Sequence, residues 1–386
     1  MALLVGHGSI RNAVMGLENR APSADELEMM KNHLRDALSN GAIGISFGLI
    51  YTPGCYAATD ELIELAKVAA EYDALICAHI RNEGDFLVEA VEEFLTVIKE
   101  SGARAVFSHH KAMFKQNWGK VNKTLELIEE ANKNGSDIYC DTYPYTASGT
   151  TLSARFIPKE YRTGGVEGMA KVLSDSKLRS GIKESNVKQF GENFDWVIVS
   201  ECDAYPQYEG LTVTEIAKLH GKDGYETVYD MIAHSKTECN AYFFTACEDD
   251  VKTVLRYPRT MICTDSDVAG SKKNYHPRLS ASFPRALGKY VREEKVVGLC
   301  EMIRRMTYLP ASVYGLKYKG IIAEGYDADI CIFDPETIAD RADYSDYSKK
   351  AIGLHYVIVG GEVVGENAVS NGKKCGGVLL GCLERK

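Results

Sequence analysis

The stretch ALICAHIRNE (residues 74–83), then a helical run, then ARAVFSHHK (residues 103–111), decides the fold. Two short apolar runs, LICA and AVF, each end in a polar cluster carrying a histidine, His79 in the first and His109 in the second. Between them Leu87, Ala90, Val91, Phe94 and Ile98 recur with the spacing of one helix face. The unit reads as strand, helix, strand. In parallel α/β folds the carboxyl ends of strands border the ligand site, so histidines leaving two neighbouring strands can grip one metal ion. A single histidine after a strand is more often a hydrogen-bonded structural residue; two at matched strand ends shift the balance toward a site.

The same beat extends both ways. Towards the N-terminus, apolar residues 2–5 run into Gly6-His7-Gly8, a strand. Pro22 and Ser23 open a helix whose face is Leu27, Met30, Leu34 and Leu38 and which Gly41 ends. Residues 42–47 are the next strand, and Thr59 is expected to cap a helix reaching about Tyr72. Towards the C-terminus, a helix over 119–134 stops at Gly135, and a strand over 137–140 leads to Tyr143. The pattern breaks over about 153–236, read as an insertion in one loop. It resumes with strands at 242–245 and 260–264, the latter ending at Asp265. Repeated strand–helix alternation predicts a parallel sheet, most economically part of a (β/α)8 TIM-like barrel over residues 1–315. An open doubly wound sheet is the alternative, without a GxGxxG loop to support it. Residues 316–386 hold short β runs at 320–324, 328–333 and 355–359 with a hairpin turn at Gly360-Gly361, a small β domain packed on the barrel.

Composition narrows the function classes. With 45% hydrophobic and 26% charged residues, the chain of 386 residues can bury a sizeable core under a polar surface. A formal net charge of -9 without a basic cluster argues against nucleic acid or an anionic membrane as partner. No apolar run reaches membrane-spanning length. Eleven cysteines without CxxC spacing fit reduced thiols and a cytoplasmic location; Cys55, Cys77, Cys140 and Cys263 read mostly as core fillers.

Four strand-end clusters carry chemistry: His79 with Arg81 and Glu83; His109 with Lys111; Tyr143; and Asp265 followed by Arg278. They offer two neutral metal ligands, a carboxylate and three groups able to hold an anion. Amide hydrolysis needs such a set: a metal to polarise the carbonyl, a carboxylate to take and return a proton, and cations to hold a substrate carboxylate. Bland readings stand beside each. Asp265 could cap its loop, Arg278 a helix, and Tyr143 could be a core aromatic. Arg81 and Glu83 are read as a supporting salt bridge, and His7, His110 and His276 as structural or supporting residues.

These clusters resemble the D-aminoacylase (N-acyl-D-amino-acid deacylase) branch of the amidohydrolase superfamily. The resemblance runs through LVGHGSIRNAVMG, RAPSADELEMM, ALSNGAIGISFGLIYTPGCYA, AHIRNEGD, SHHK, WGKVN, DTYPYTASGTTL, HPRLSASFPRALGKYVRE and EGYDADICIFDPETIADRA, in order along nearly the whole chain. It implies a barrel with a β-sandwich, zinc as cofactor and a small N-acyl amino acid as substrate. By resemblance, His79 and His109 match the zinc ligands on the fifth and sixth barrel strands. Asp265 matches the eighth-strand general base and acid, and Lys111, Tyr143 and Arg278 match the groups that hold the substrate α-carboxylate. Self-association into a homo-oligomer is left open.

The chain departs from the family pattern as well. The His-x-His of the first strand and the cysteine ligand have no counterpart, AHIR stands for THxR, and CTDSD stands for SDG. Met1 falls where the family is at its third strand. The expectation is therefore an incomplete barrel and half a sandwich, with an upstream portion behind an interrupted reading frame, for example a recoded stop codon specifying selenocysteine at the thiolate position. Two other readings remain: a catalytically impaired binding protein, and an amidohydrolase acting on a cyclic amide or dipeptide. The cationic set disfavours the last, because a substrate without a free carboxylate leaves buried cations unpaired.

Overall fold

Six parallel strands answer the alternation in the sequence. The computed structural model describes residues 1–266 and 276–381. Strands β1 (Leu4–Gly6), β2 (Gly44–Gly48), β3 (Leu75–His79), β4 (Ala105–Phe107) and β5 (Ile138–Thr142) lie side by side in chain order. Every pairing is parallel, with register pairs such as Ser46 with Cys77 and Ala78 with Phe107. Five helices alternate with them or follow β1: α1 (His7–Met15), α2 (Ala24–Ser39), α3 (Thr59–Glu71), α4 (Leu87–Ser101) and α5 (Lys120–Lys133).

The helices form where the apolar spacing requires a buried stripe. In α4 the residues Leu87, Ala90, Val91, Phe94, Val97 and Ile98 are buried against the sheet. Each large side chain so removed from water contributes about 1.5–3 kcal/mol. Phe94 meets Phe107 of β4 edge-on at 5.1 Å, which fixes the helix over its strand. Helix α2 opens with a capping box: Ser23 accepts from the Glu26 amide and Glu26 accepts from the Ser23 amide, an arrangement typically worth about 1 kcal/mol. Thr59 does not cap α3 as expected. Ala58 occupies that position, and the Thr59 hydroxyl donates to Glu93 instead.

Beyond β5 the chain leaves the parallel sheet. A second sheet of three antiparallel strands has the order β6 (Ala147–Thr151), β8 (Asn240–Phe244), β7 (Val197–Glu201). It surrounds its own core of Phe156, Phe194, Val199, Tyr225 and Phe243 among others. The strand read at 242–245 therefore belongs to this second sheet and not to the barrel: its alternation is real, but its partners are β6 and β7. Helix α6 (Leu152–Phe156) follows β6 at once. Strand β9 (Thr260–Ile262) then returns to pair in parallel with β5, giving the order β1-β2-β3-β4-β5-β9.

The C-terminal part is a four-stranded antiparallel sheet, β10 (Ile330–Phe333), β11 (Leu354–Val359), β12 (Glu362–Glu366) and β13 (Val369–Ser370). Gly360 and Gly361 join β11 to β12, both at positive φ (58° and 82°), as a two-residue hairpin turn demands. No strand forms at 320–324, where the chain turns. The architecture is that of part of a (β/α)8 barrel with a β-sandwich layer beside it. Among the described residues, no helix is long and apolar enough to cross a membrane.

Candidate metal centre and substrate site

Four successive carboxyl ends of the parallel sheet converge. Strand β3 ends on His79 itself; His109 lies two residues past β4, Tyr143 one past β5, and Asp265 three past β9. His109 and Asp265 both have left-handed backbone, at φ 39° and 45°. Such conformations cost energy for residues other than glycine and collect where side-chain placement matters. Asp141 of β5 holds the first of these turns, accepting from the His109 amide at 2.6 Å. Burial raises the Asp141 carboxyl pKa and outweighs the hydrogen bond from the His109 amide, which lowers it.

The two histidines touch directly, His79 Nδ1 to His109 Nε2 at 2.8 Å. Glu83 completes the cluster. Its Oε1 is 3.1 Å from His109 Nδ1, and its Oε2 is 3.7 Å from His79 Nε2. One donor atom from each of His79, Glu83 and His109 lies within 4.8 Å of the others. The His79 Nε2 atom is buried and has no hydrogen-bond partner. Burial pushes the His79 pKa down to about 3, so the ring is neutral and its lone pairs are available. Burial opposes ionisation of Glu83, but Lys111 and the two histidines more than offset this and hold its pKa well below the usual range. Two imidazole nitrogens and a carboxylate oxygen with one orphaned nitrogen are a donor set that suits zinc.

Glu83 was expected to pair with Arg81. Arg81 instead forks onto Glu93 with two contacts of 2.9 Å, while Glu83 reaches Lys111 Nζ at 2.5 Å. Burial pulls the Lys111 pKa down, yet Glu83 outweighs it and the net shift is upward. On the far side Arg278 Nη1 stands 2.7 Å from Asp265 Oδ2. Burial resists the Asp265 charge, and His109 and Arg278 reverse this, leaving the pKa lowered.

Tyr143 lies between these groups. The Arg278 guanidinium is 4.5 Å and Lys111 Nζ 5.5 Å from its ring centre, and the His109 ring is 6.4 Å away. Its hydroxyl is buried without a partner, and burial raises its pKa to about 12, so it stays a donor. The structure thus brings His79, His109, Lys111, Tyr143, Asp265 and Arg278 into one mouth.

Three residues read as supporting hold other positions. His276 Nε2 meets the Ala147 carbonyl at 3.0 Å and Nδ1 accepts from the Arg278 amide, inside a ring of Tyr145, Tyr242 and Tyr344. His110 Nε2 bonds the Thr124 hydroxyl at 2.8 Å. His7 bonds Glu61, which also holds Arg11. Sequence reading missed Glu83 as a donor; its position four residues after His79 was the available signal.

Fold and donor set together define a metal-dependent amide hydrolase of the barrel type, and the chain belongs to the amidohydrolase family, whose sequence model matches residues 1–365. Within it the chain is similar to D-aminoacylase of Alcaligenes xylosoxydans xylosoxydans, 32% identical over 98% of this chain and 69% of that protein. It is similar also to N-acyl-D-glutamate deacylase of the same organism, 35% identical over 94% of this chain and 66% of that protein. The crystal structure of N-acyl-D-glutamate deacylase from Bordetella bronchiseptica, complexed with zinc and a phosphonate mimic of the tetrahedral intermediate, superposes with a TM-score of 0.83. That match has 35% identity and covers 98% of this chain and 71% of that one. The chain spans about two thirds of the length of these curated relatives.

Proposed function

We propose that this chain carries the centre of a zinc-dependent hydrolase that cleaves N-acyl-D-amino acids to a carboxylate and a D-amino acid. The observation that carries the reading is the orphaned His79 nitrogen beside His109 and Glu83, facing the mouth that Asp265, Arg278 and Tyr143 share. His79 and His109, joined by Glu83, would hold the zinc. When bound, zinc polarises the amide carbonyl and makes water a better nucleophile at neutral pH. Asp265 is ionised, so it can accept a proton from water and hand it to the departing amine. Arg278 and Lys111 offer cationic hydrogen-bond donors to the substrate α-carboxylate, and the Tyr143 hydroxyl offers a third, neutral one. Both cations already face carboxylates of the protein, so the substrate joins an existing charge network, and the expectation that a substrate without a free carboxylate would leave these cations unpaired does not hold. The D preference rests on similarity to the relatives.

Assay of zinc-loaded protein against N-acetyl amino acids of both hands tests the reading. Turnover of D substrates is expected, and Asp265→Asn should lower kcat by about 10²–10⁴-fold while zinc content by elemental analysis stays the same. Asparagine tolerates left-handed backbone, so the turn should survive. A variant that keeps wild-type kcat removes Asp265 from proton transfer.

A further inference from the structure

Cys202 and Cys239 face each other at one end of the second sheet. Strands β7 and β8 pair antiparallel with Glu201 opposite Asn240. One step further along the same register, Cys202 leaves β7 opposite Cys239, which enters β8. Residues opposed in this way have Cα atoms about 4.5–5.5 Å apart, inside the range of about 4.4–6.8 Å that a disulfide spans. The two sulfurs lie 2.9 Å apart, and the Ser235 hydroxyl is 2.9 Å from Cys239 Sγ and 3.4 Å from Cys202 Sγ. Both cysteines are free and buried. They stand at the two ends of the connection 203–238, which carries the helices Val213–His220 and Gly224–His234. The hydrogen bond with Cys239 lowers the Cys202 pKa to about 7 against the effect of burial, and Ser235 assists. The same contact raises the pKa of Cys239. One sulfur is therefore the better nucleophile near neutrality, and the other keeps its proton. The pair adjoins the substrate mouth: Glu201 and Asn240, their chain neighbours, line the cavity that Asp265 and Arg278 share.

We propose that Cys202 and Cys239 are an oxidisable dithiol that a hydroperoxide closes to a disulfide, pinning the ends of the 203–238 connection and with them one wall of the mouth. The Cys202 sulfur takes the outer peroxide oxygen; the O–O bond breaks, and the alcohol or water leaves with the Cys202 proton. The Cys239 sulfur then bonds to the Cys202 sulfur and displaces the hydroxyl as water, with the Cys239 proton. Two electrons pass from the thiols to the peroxide, and no other co-reactant is needed. Burial selects a small oxidant: a peroxide is little larger than water, whereas a peptide disulfide cannot reach side chains buried to this degree. The pair closes whatever the mouth hydrolyses.

Oxidation of the reduced wild-type chain tests the proposal. Freed of reductant, the chain is treated with an equimolar amount of hydrogen peroxide or of oxidised glutathione, blocked with N-ethylmaleimide and digested without reduction. Peroxide should yield a peptide joining Cys202 to Cys239, two hydrogens lighter than its parts, and should raise Tm by about 5 °C until reductant is added. Oxidised glutathione should do neither. In Cys239→Ser, dimedone should trap a sulfenic acid on Cys202, and in Cys202→Ser no adduct should form on Cys239. Recovery of both sulfurs as maleimide adducts, while the exposed Cys300 and Cys331 are oxidised, overturns the proposal with the wild-type chain alone. So does a link between Cys202 and Cys239 that forms only in urea. An unchanged Tm overturns the pinning, and a glutathione adduct on Cys202 overturns the choice of a small oxidant.

Discussion

His110 shows how one buried imidazole sets a stability profile. Burial, and after it the Lys111 charge, lowers its pKa from 6.5 to about 4. Between those values the unfolded chain takes up a proton that the folded chain refuses, so stability falls as pH drops through this window and is complete above 6.5. The loss is on the order of 3 kcal/mol. His110→Gln, which keeps a polar partner for Thr124, should flatten the decline. Urea midpoints at pH 7, 6, 5 and 4.5 measure it, and an unchanged slope would show that other groups carry the acid sensitivity. The residues themselves were legible to different degrees. His79, His109, Tyr143 and Asp265 announced themselves because each follows an apolar run, a signal local in sequence. Glu83 did not, since it is defined by Lys111, which reaches it from beyond the neighbouring strand.

Strands and helices obey a similar division. The β3–α4–β4 unit was readable because strand run, helix face and returning run lie within 33 residues, Leu75 to Phe107. Strand β8 was misplaced because alternation reports a half-buried strand and not its neighbours; its partner β6 lies almost a hundred residues earlier. Close strand approach makes a further expectation. A Cβ on Gly44 of β2 would stand 2.1 Å from the Leu75 carbonyl of β3, so Gly44→Ala should destabilise by about 1–3 kcal/mol or more as the strands part. Gly181, in the helix Ser176–Phe190 with open space around it, is the control: Gly181→Ala should stabilise by about 0.5–1 kcal/mol. Thermal denaturation of both variants decides; equal effects would mean that Gly44 is not pinned between its neighbours.

On the scale of the whole molecule, the donors of the candidate centre come from β3 and from the turns after β3 and β4, so a bound ion would add a cross-link between strand ends already joined by backbone hydrogen bonds such as that from the Ser108 amide to the Ala78 carbonyl. Zinc at about 100 times its dissociation constant should stabilise the fold by about 2.7 kcal/mol. Chelation should therefore lower Tm, and His109→Ala should abolish the difference between zinc-loaded and chelated protein. A Tm indifferent to zinc in the wild-type chain would count against the centre. The overall plan was legible from its alternation and from collinear motifs, whereas the reach of the second sheet was not, because its strands pair across long loops. His276 bonds backbone of the second sheet with one nitrogen and the Arg278 amide with the other, and packs on Tyr344 in the connection between β10 and β11. The second sheet, the helix start that carries Arg278 and the connection between β10 and β11 are thus bolted through a single ring, and damage remote from the mouth, in β6 or around Tyr344, will surface as a change in anion affinity.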